Sequence, residues 1–176
     1  MPPPDHAAPR LRPARVDEFD RLIAVENDAE AALIEAAVPL PAAYPTMSHA
    51  ALARSLAAGW LVVAVDGEDR PLGFLAGEER DGGLLITEID VERRRQGGGV
   101  GRALMAHALA AARRAALWGA MLTADRLVPF NRRFYETLGF TACTTDPPAP
   151  LRATLAREIA LGLDPDRRIA MVLRFA

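Results

Sequence analysis

The stretch from Val91 to Leu104 reads Val-Glu-Arg-Arg-Arg-Gln-Gly-Gly-Gly-Val-Gly-Arg-Ala-Leu, and it joins two segments of opposite character. Before it, the apolar run Leu84-Leu85-Ile86-Thr87-Glu88-Ile89-Asp90-Val91 reads as a strand. After it, Ala103 to Leu117 is dense in alanine and leucine, the residues that favour helix most. A strand that passes through glycines into a helix makes an anion site. The glycines let backbone approach the anion closely. The first helical amides, which have no acceptor inside the helix, then point at it with the helix dipole in support.

The loop is not a nucleotide loop of the common kinds. A Walker loop ends in Gly-Lys-Ser/Thr, whereas this one continues as Gly101-Arg102-Ala103. The dinucleotide fingerprint needs a third glycine where Leu104 stands. Composition excludes other classes. Net charge is −2, which argues against a nucleic-acid binder or a basic membrane-surface protein, and the Arg93-Arg94-Arg95 run is a local cluster only. That cluster is either a solvated turn or an attractor of phosphates. No apolar run is long enough for a bilayer. His6, His49 and His107 are scattered, so no metal is expected. The single cysteine, Cys143, suits a reducing cytoplasm. The proline-rich start has no apolar signal segment and is expected to be a disordered leader over residues 1–10, followed by one domain over 11–176.

Periodicity and punctuation predict the elements of that domain. Leu11 to Arg15 is a short strand, at an edge because of Pro13. A helix capped by Asp17 runs to about Ala36, and Pro39, Pro41 and Pro45 then forbid helix. Ser48 caps a second helix that Gly59 stops. Trp60–Val65, Pro71–Gly77 and Leu84–Val91 are three strands with short turns, an antiparallel meander. The helix after the glycine loop reaches Trp118, and Ala120–Ala124 is a strand parallel to Leu84–Val91. Arg126 to Phe130 is a loop, and a short helix Asn131–Leu138 follows. Then come a strand at Phe140–Thr144, a loop Asp146–Pro150, a helix Arg152–Leu161 and a strand Arg168–Phe175.

Two motifs carry a resemblance. Gln96-Gly97-Gly98-Gly99-Val100-Gly101 fits Gln/Arg-x-x-Gly-x-Gly/Ala, and Tyr135-Glu136-Thr137-Leu138-Gly139-Phe140 fits Tyr-x-x-x-Gly-Phe. Together, in this order, they resemble the GNAT N-acetyltransferase superfamily. The resemblance covers nearly the whole chain from Leu11. It implies a mixed α/β fold: a mostly antiparallel central sheet of about seven strands, with a splayed parallel pair, flanked by helices. It also implies transfer of an acetyl group from acetyl-CoA to a primary amine. The small-molecule amine is the expected partner, with neither nucleic acid nor membrane involved, and homodimerisation is left open. A peptide N-acetyltransferase and a non-catalytic CoA-binding regulatory domain are the alternatives.

The resemblance also assigns residues. Backbone amides of Gln96, Gly97, Gly98, Gly99, Val100, Gly101 and Arg102 would hold the pyrophosphate. Ile89 and Val91 would pair with the pantetheine arm. Tyr135 would protonate the departing thiolate, and Asn131 would contact the cofactor. Asn131 stands nearer to Tyr135 than the family's asparagine does, and Gly98 replaces a residue that is often basic. The chemistry itself asks for a base, because an ammonium cannot attack. Glu88 and Asp90 share one side of their strand by period two, and Glu88 is the first candidate. Asp90, Thr87 with a water, and Glu26 are the others. Glu26 and Glu30 would grip a cationic substrate.

Overall fold

Among the described residues, seven strands and five α-helices form where apolar periodicity and turn chemistry place them. The computed structural model describes residues 9–35 and 46–176, and of residues 32–35, 129 and 130 the backbone only. Most of the expected leader lies outside the described residues, as do Pro39, Pro41 and Pro45. The strands are β1 (Arg10–Pro13), β2 (Leu61–Val65), β3 (Pro71–Arg80), β4 (Gly83–Val91), β5 (Gly119–Asp125), β6 (Thr141–Ala142) and β7 (Arg168–Arg174). The helices are α1 (Phe19–Glu35), α2 (His49–Ala57), α3 (Val100–Arg114), α4 (Pro129–Glu136) and α5 (Ala149–Ala160). The sheet order is β1-β2-β3-β4-β5-β7-β6, a mixed sheet as expected. The chain divides into two units.

The first unit holds described residues 9–33, 46–77 and 88–108. β2 is antiparallel to β1 and to β3, with Val63 opposite Phe74 and Leu61 opposite Ala76. Period two therefore puts Leu61, Val63, Val65, Phe74 and Ala76 on one face. That face buries Phe19, Leu22 and Val25 of α1 and Leu52 of α2. Ser48 caps α2 through a bond from the Ala51 amide to its Oγ, as expected. The start of α1 differs from the expectation. A 3-10 turn, Val16–Glu18, leads into it, and the Glu18 carboxylate accepts from the Arg15 amide at 2.8 Å.

The second unit holds described residues 34–35, 78–87 and 109–176. Here β4 runs parallel to β5, with Leu84 opposite Ala120 and Leu85 opposite Met121. β7 is antiparallel to β5 and to β6. Leu85, Met121, Leu151, Ala170 and Val172 form the core, with Trp118, Cys143 and Leu155 against it. Two loops were expected too long: α4 begins at Pro129 and α5 at Ala149, each with proline in its first turn. Proline fits there, since its missing N–H is one the helix leaves unpaired. The expected helix to Trp118 stops at Arg114, where Ala116 turns left-handed (φ 56°) and the Leu117 amide reaches back to Ala112. This is a Schellman-type stop without its usual glycine, so the sequence hides it.

Candidate functional site

The glycine loop is built as its sequence demands. A 3-10 turn, Arg93–Arg95, follows β4, and Gln96 is extended before the glycines. Gly97 (φ 74°) and Gly99 (φ 84°) are left-handed, a conformation that side chains disfavour. A Cβ at either would meet nothing within 4 Å, so backbone angle and not space selects glycine. The Ala103 amide closes the first turn of α3 onto the Gly99 carbonyl at 3.0 Å. The amides of Val100, Gly101 and Arg102 come before that first intrahelical bond, at the positive end of the helix. Residues 93–99 and Arg102 are exposed, Gly101 is half-buried and Val100 is buried. The Gln96 side chain donates to the Val91 carbonyl at 3.0 Å, tying the loop to the strand end.

A set of contacts that the sequence reading missed holds the root of this loop. Glu92 is buried and accepts from Arg21 of α1 and from Arg94 at 2.9 Å. Burial pushes its pKa up, but the bonds from Arg21 and Arg94 outweigh that, and it lies below the ordinary range. Asp28 accepts from the Arg93 amide at 2.9 Å, and Arg21 also reaches the Pro71 carbonyl at 2.9 Å. β3 passes close by at Gly73, where a Cβ would lie 2.8 Å from the Asp90 carbonyl oxygen.

Upstream on β4, three acids converge. One carboxylate oxygen each from Glu26, Glu88 and Asp90 lie within 4.8 Å of one another. Glu88 and Asp90 share a strand face, as period two requires, and α1 brings Glu26. Glu26 is 8% exposed, and its two oxygens accept from the Met47 amide at 3.0 and 2.9 Å. Glu88 Oε1 accepts from the Ile89 amide at 3.3 Å. The Oδ2 of Asp90 is closed to solvent and has no hydrogen-bond partner among the described residues.

Burial, then Glu88, raises the Glu26 pKa to about 8, against the pull of the Met47 N–H; Glu30 adds to the rise. Burial, then Glu88 and Glu26, holds Asp90 well above the ordinary range, and a side-chain hydrogen bond with Glu88 adds to it. Burial and like charge thus make Glu26 and Asp90 hold their protons more readily than ordinary carboxyls. Thr87, the water-assisted candidate, is exposed.

Tyr135 and Asn131 belong to the second unit. Both lie on α4, whose short turn ends with the Phe140 amide donating to the Tyr135 carbonyl at 3.1 Å. Tyr135 is 8% exposed, and its ring meets Phe134 and Phe140 edge-on, with centroids 5.3 and 6.0 Å away. Asn131 is half-buried, and its amide donates to the Val128 carbonyl at 3.1 Å.

Residues 57–142, from α2 through the glycine loop to β6, match the family model of the acetyltransferase (GNAT) domain. The chain carries a GNAT acetyltransferase domain. Solved structures share the fold of this GNAT chain at low identity. Ard1 from Thermoplasma volcanium superposes with a TM-score of 0.71 at 18% identity, covering 97% of this chain and 99% of that one. PaiA N-acetyltransferase from Thermoplasma acidophilum, in complex with coenzyme A, has a TM-score of 0.71 at 11% identity, covering 96% and 100%. Arabidopsis thaliana Naa50, in complex with the bisubstrate analogue CoA-Ac-MVNAL, has a TM-score of 0.68 at 16% identity, covering 96% and 100%. No helix among the described residues of the GNAT chain is long and apolar enough to cross a membrane.

Proposed function

We propose that this protein transfers the acetyl group of acetyl-CoA to a primary amine of a small molecule by direct attack. The observation that carries the reading is the half-buried Glu88 and Asp90 on the strand that runs into the glycine loop, with buried Glu26 brought to them by α1. An amine acceptor arrives as an ammonium and must lose a proton before it attacks. Glu88 takes that proton, beside Glu26 and Asp90, whose carboxyls burial and mutual repulsion hold above the ordinary range. Backbone amides from Gln96 to Arg102 bind the pyrophosphate, and Ile89, Val91 and Asn131 contact the rest of the co-substrate. The amine nitrogen bonds to the thioester carbon and sheds its second proton to water, the C–S bond breaks, and Tyr135 gives its proton to the departing sulfur and regains one from solvent. Residues 11–176 serve this one activity, in the cytoplasm that the lone Cys143 suits.

The test is release of free CoA, read with a thiol reagent, across a panel of small amines and peptide α-amines, with mass spectrometry of the products. Acetylated small amines are the expected result. Turnover confined to peptides moves the acceptor class. Tight acetyl-CoA binding with no acceptor acetylated contradicts the enzymatic reading.

A further inference from the structure

The root of the glycine loop is fixed by β3 through its backbone and by α1 through side chains. The Glu92 amide donates to the Leu72 carbonyl at 2.9 Å, so β3 sets the chain where β4 ends. The Glu92 carboxylate is buried, 5% exposed, and accepts from Arg21 of α1 on one oxygen and from the Arg94 Nε on the other. Arg21 is itself anchored, by two bonds to the Pro71 carbonyl at 3.1 and 2.9 Å. Two turns further along α1, Asp28 accepts from the Arg93 amide at 2.9 Å. α1 therefore grips the turn Arg93–Arg95 at two consecutive residues, once through backbone and once through a side chain.

What that turn carries has little rigidity of its own. Residues 93–99 are exposed, and Gly97, Gly98 and Gly99 follow one another, two of them left-handed. Glycine loses more freedom on ordering than any other residue. A glycine loop that is not held in its bound shape must be ordered by its ligand, and affinity falls by that cost. Contacts at Arg93 and Arg94 set the direction in which the chain enters the glycines. Glu18 offers the contrast. It is also a buried acid, 8% exposed, met by Arg12 at 3.0 and 2.6 Å and by the Arg15 amide at 2.8 Å. Its partners lie on β1 and just after it, whereas those of Glu92 lie on α1 and in the loop.

We propose that Glu92 and Asp28 are positioning residues for the co-substrate loop: with Arg21 they hold the turn Arg93–Arg95 so that the amides of Gln96 to Arg102 are already arranged for the pyrophosphate. They act on affinity for acetyl-CoA, through α1, and not on the chemical step. This rests on the acetyl-transfer reading and deepens its co-substrate half.

The test is calorimetry of acetyl-CoA binding, with thermal melts, on the full chain and on Asp28→Ala, Glu92→Gln and Glu18→Gln. Asp28→Ala removes one exposed carboxylate, so Tm should stay within about two degrees while acetyl-CoA binds about threefold to tenfold more weakly. Glu92→Gln should weaken binding about tenfold and also lower Tm. Glu18→Gln should lower Tm and leave affinity unchanged, as expected of an ion pair that holds only the fold. Glu92→Gln and Arg21→Met together should weaken binding no more than the stronger single variant, because both open the same link. With the best amine of the panel above, kcat at saturating acetyl-CoA should stay within about twofold, the loss appearing in KM. Unchanged affinity in Asp28→Ala, and in Glu92→Gln where it folds, overturns the positioning role and leaves acetyl transfer standing. Equal loss of affinity in Glu18→Gln and Glu92→Gln overturns it too, because stability alone would then set binding. A wild-type chain that binds no acetyl-CoA defeats the co-substrate reading and this inference with it.

Discussion

Two buried glutamates, one in each unit, show opposite uses of the same side chain. Glu158 of α5 is 4% exposed and is met by Arg168 at 2.9 Å on both oxygens and by the Thr123 hydroxyl at 2.7 Å. Glu26 of α1 is 8% exposed, faces Glu88 and Asp90, and has one amide for its two oxygens. The first arrangement crosslinks a helix to two strands. The second stores unfavourable charge. A fold that supplies a guanidinium to one acid and withholds it from the other separates structural from functional carboxylates, and the difference is open to measurement.

The largest effect should come from breaking the paired site. Arg168→Met leaves Glu158 buried without its cation, and denaturant melts should show a loss of about 3–5 kcal/mol. A loss below about 1 kcal/mol would put Glu158 and Glu26 in the same class. Next is Tyr135→Phe, which keeps the ring between Phe134 and Phe140 and removes only the hydroxyl. General acid catalysis is worth about 10²–10⁴-fold, so turnover should fall at least about tenfold while the melt moves little. Full turnover in the folded variant would remove Tyr135 from the mechanism.

Glu26→Gln should stabilise the protein, the reverse of Arg168→Met. Gln keeps an acceptor for the Met47 amide and mimics the protonated acid. The wild-type Glu26 pKa is raised, so its folded form keeps the proton longer than the unfolded chain does. Wild-type stability therefore falls as pH rises from the usual glutamate range to about 8, and the variant escapes that fall. Its advantage should be near zero at pH 4 and about 2 kcal/mol at pH 9. Melts across pH check it, and a variant that is less stable at pH 9 contradicts the charge-storage view. The smallest effect is on the co-substrate loop. Gly99→Asp places a negative charge and a side chain at a left-handed position, and calorimetry should show acetyl-CoA bound about tenfold more weakly, or about 1.4 kcal/mol.

Much of this was legible in the chain. The glycines at 97 and 99, the Ser48 cap, the parallel β4–β5 pair and the shared face of Glu88 and Asp90 all follow from local rules. What local rules miss is what arrives from a distant element. Nothing around residue 26 says that Glu26 will face β4, because that depends on which face of α1 the core selects. The same holds for Arg21, which α1 delivers to Glu92. Conversely, the prolines at 129 and 150 looked like loop markers, although each sits in the first turn of a helix. The sign of an isolated acid in a sequence carries no information about whether a guanidinium will meet it.

The central claim is that Glu88 works on the substrate while Glu158, held by Arg168 and Thr123, holds the fold. The direct measurement sets Glu88→Gln beside Glu158→Gln, reading Tm and turnover per folded molecule in both. Glu88→Gln should keep its Tm, lose turnover with acetyl-CoA binding little changed, and lose the rising acid limb of its pH–rate profile. Glu158→Gln should lose several degrees of Tm and keep its turnover. The crossed result, near-wild-type turnover in Glu88→Gln with impaired turnover in a well-folded Glu158→Gln, would contradict the account.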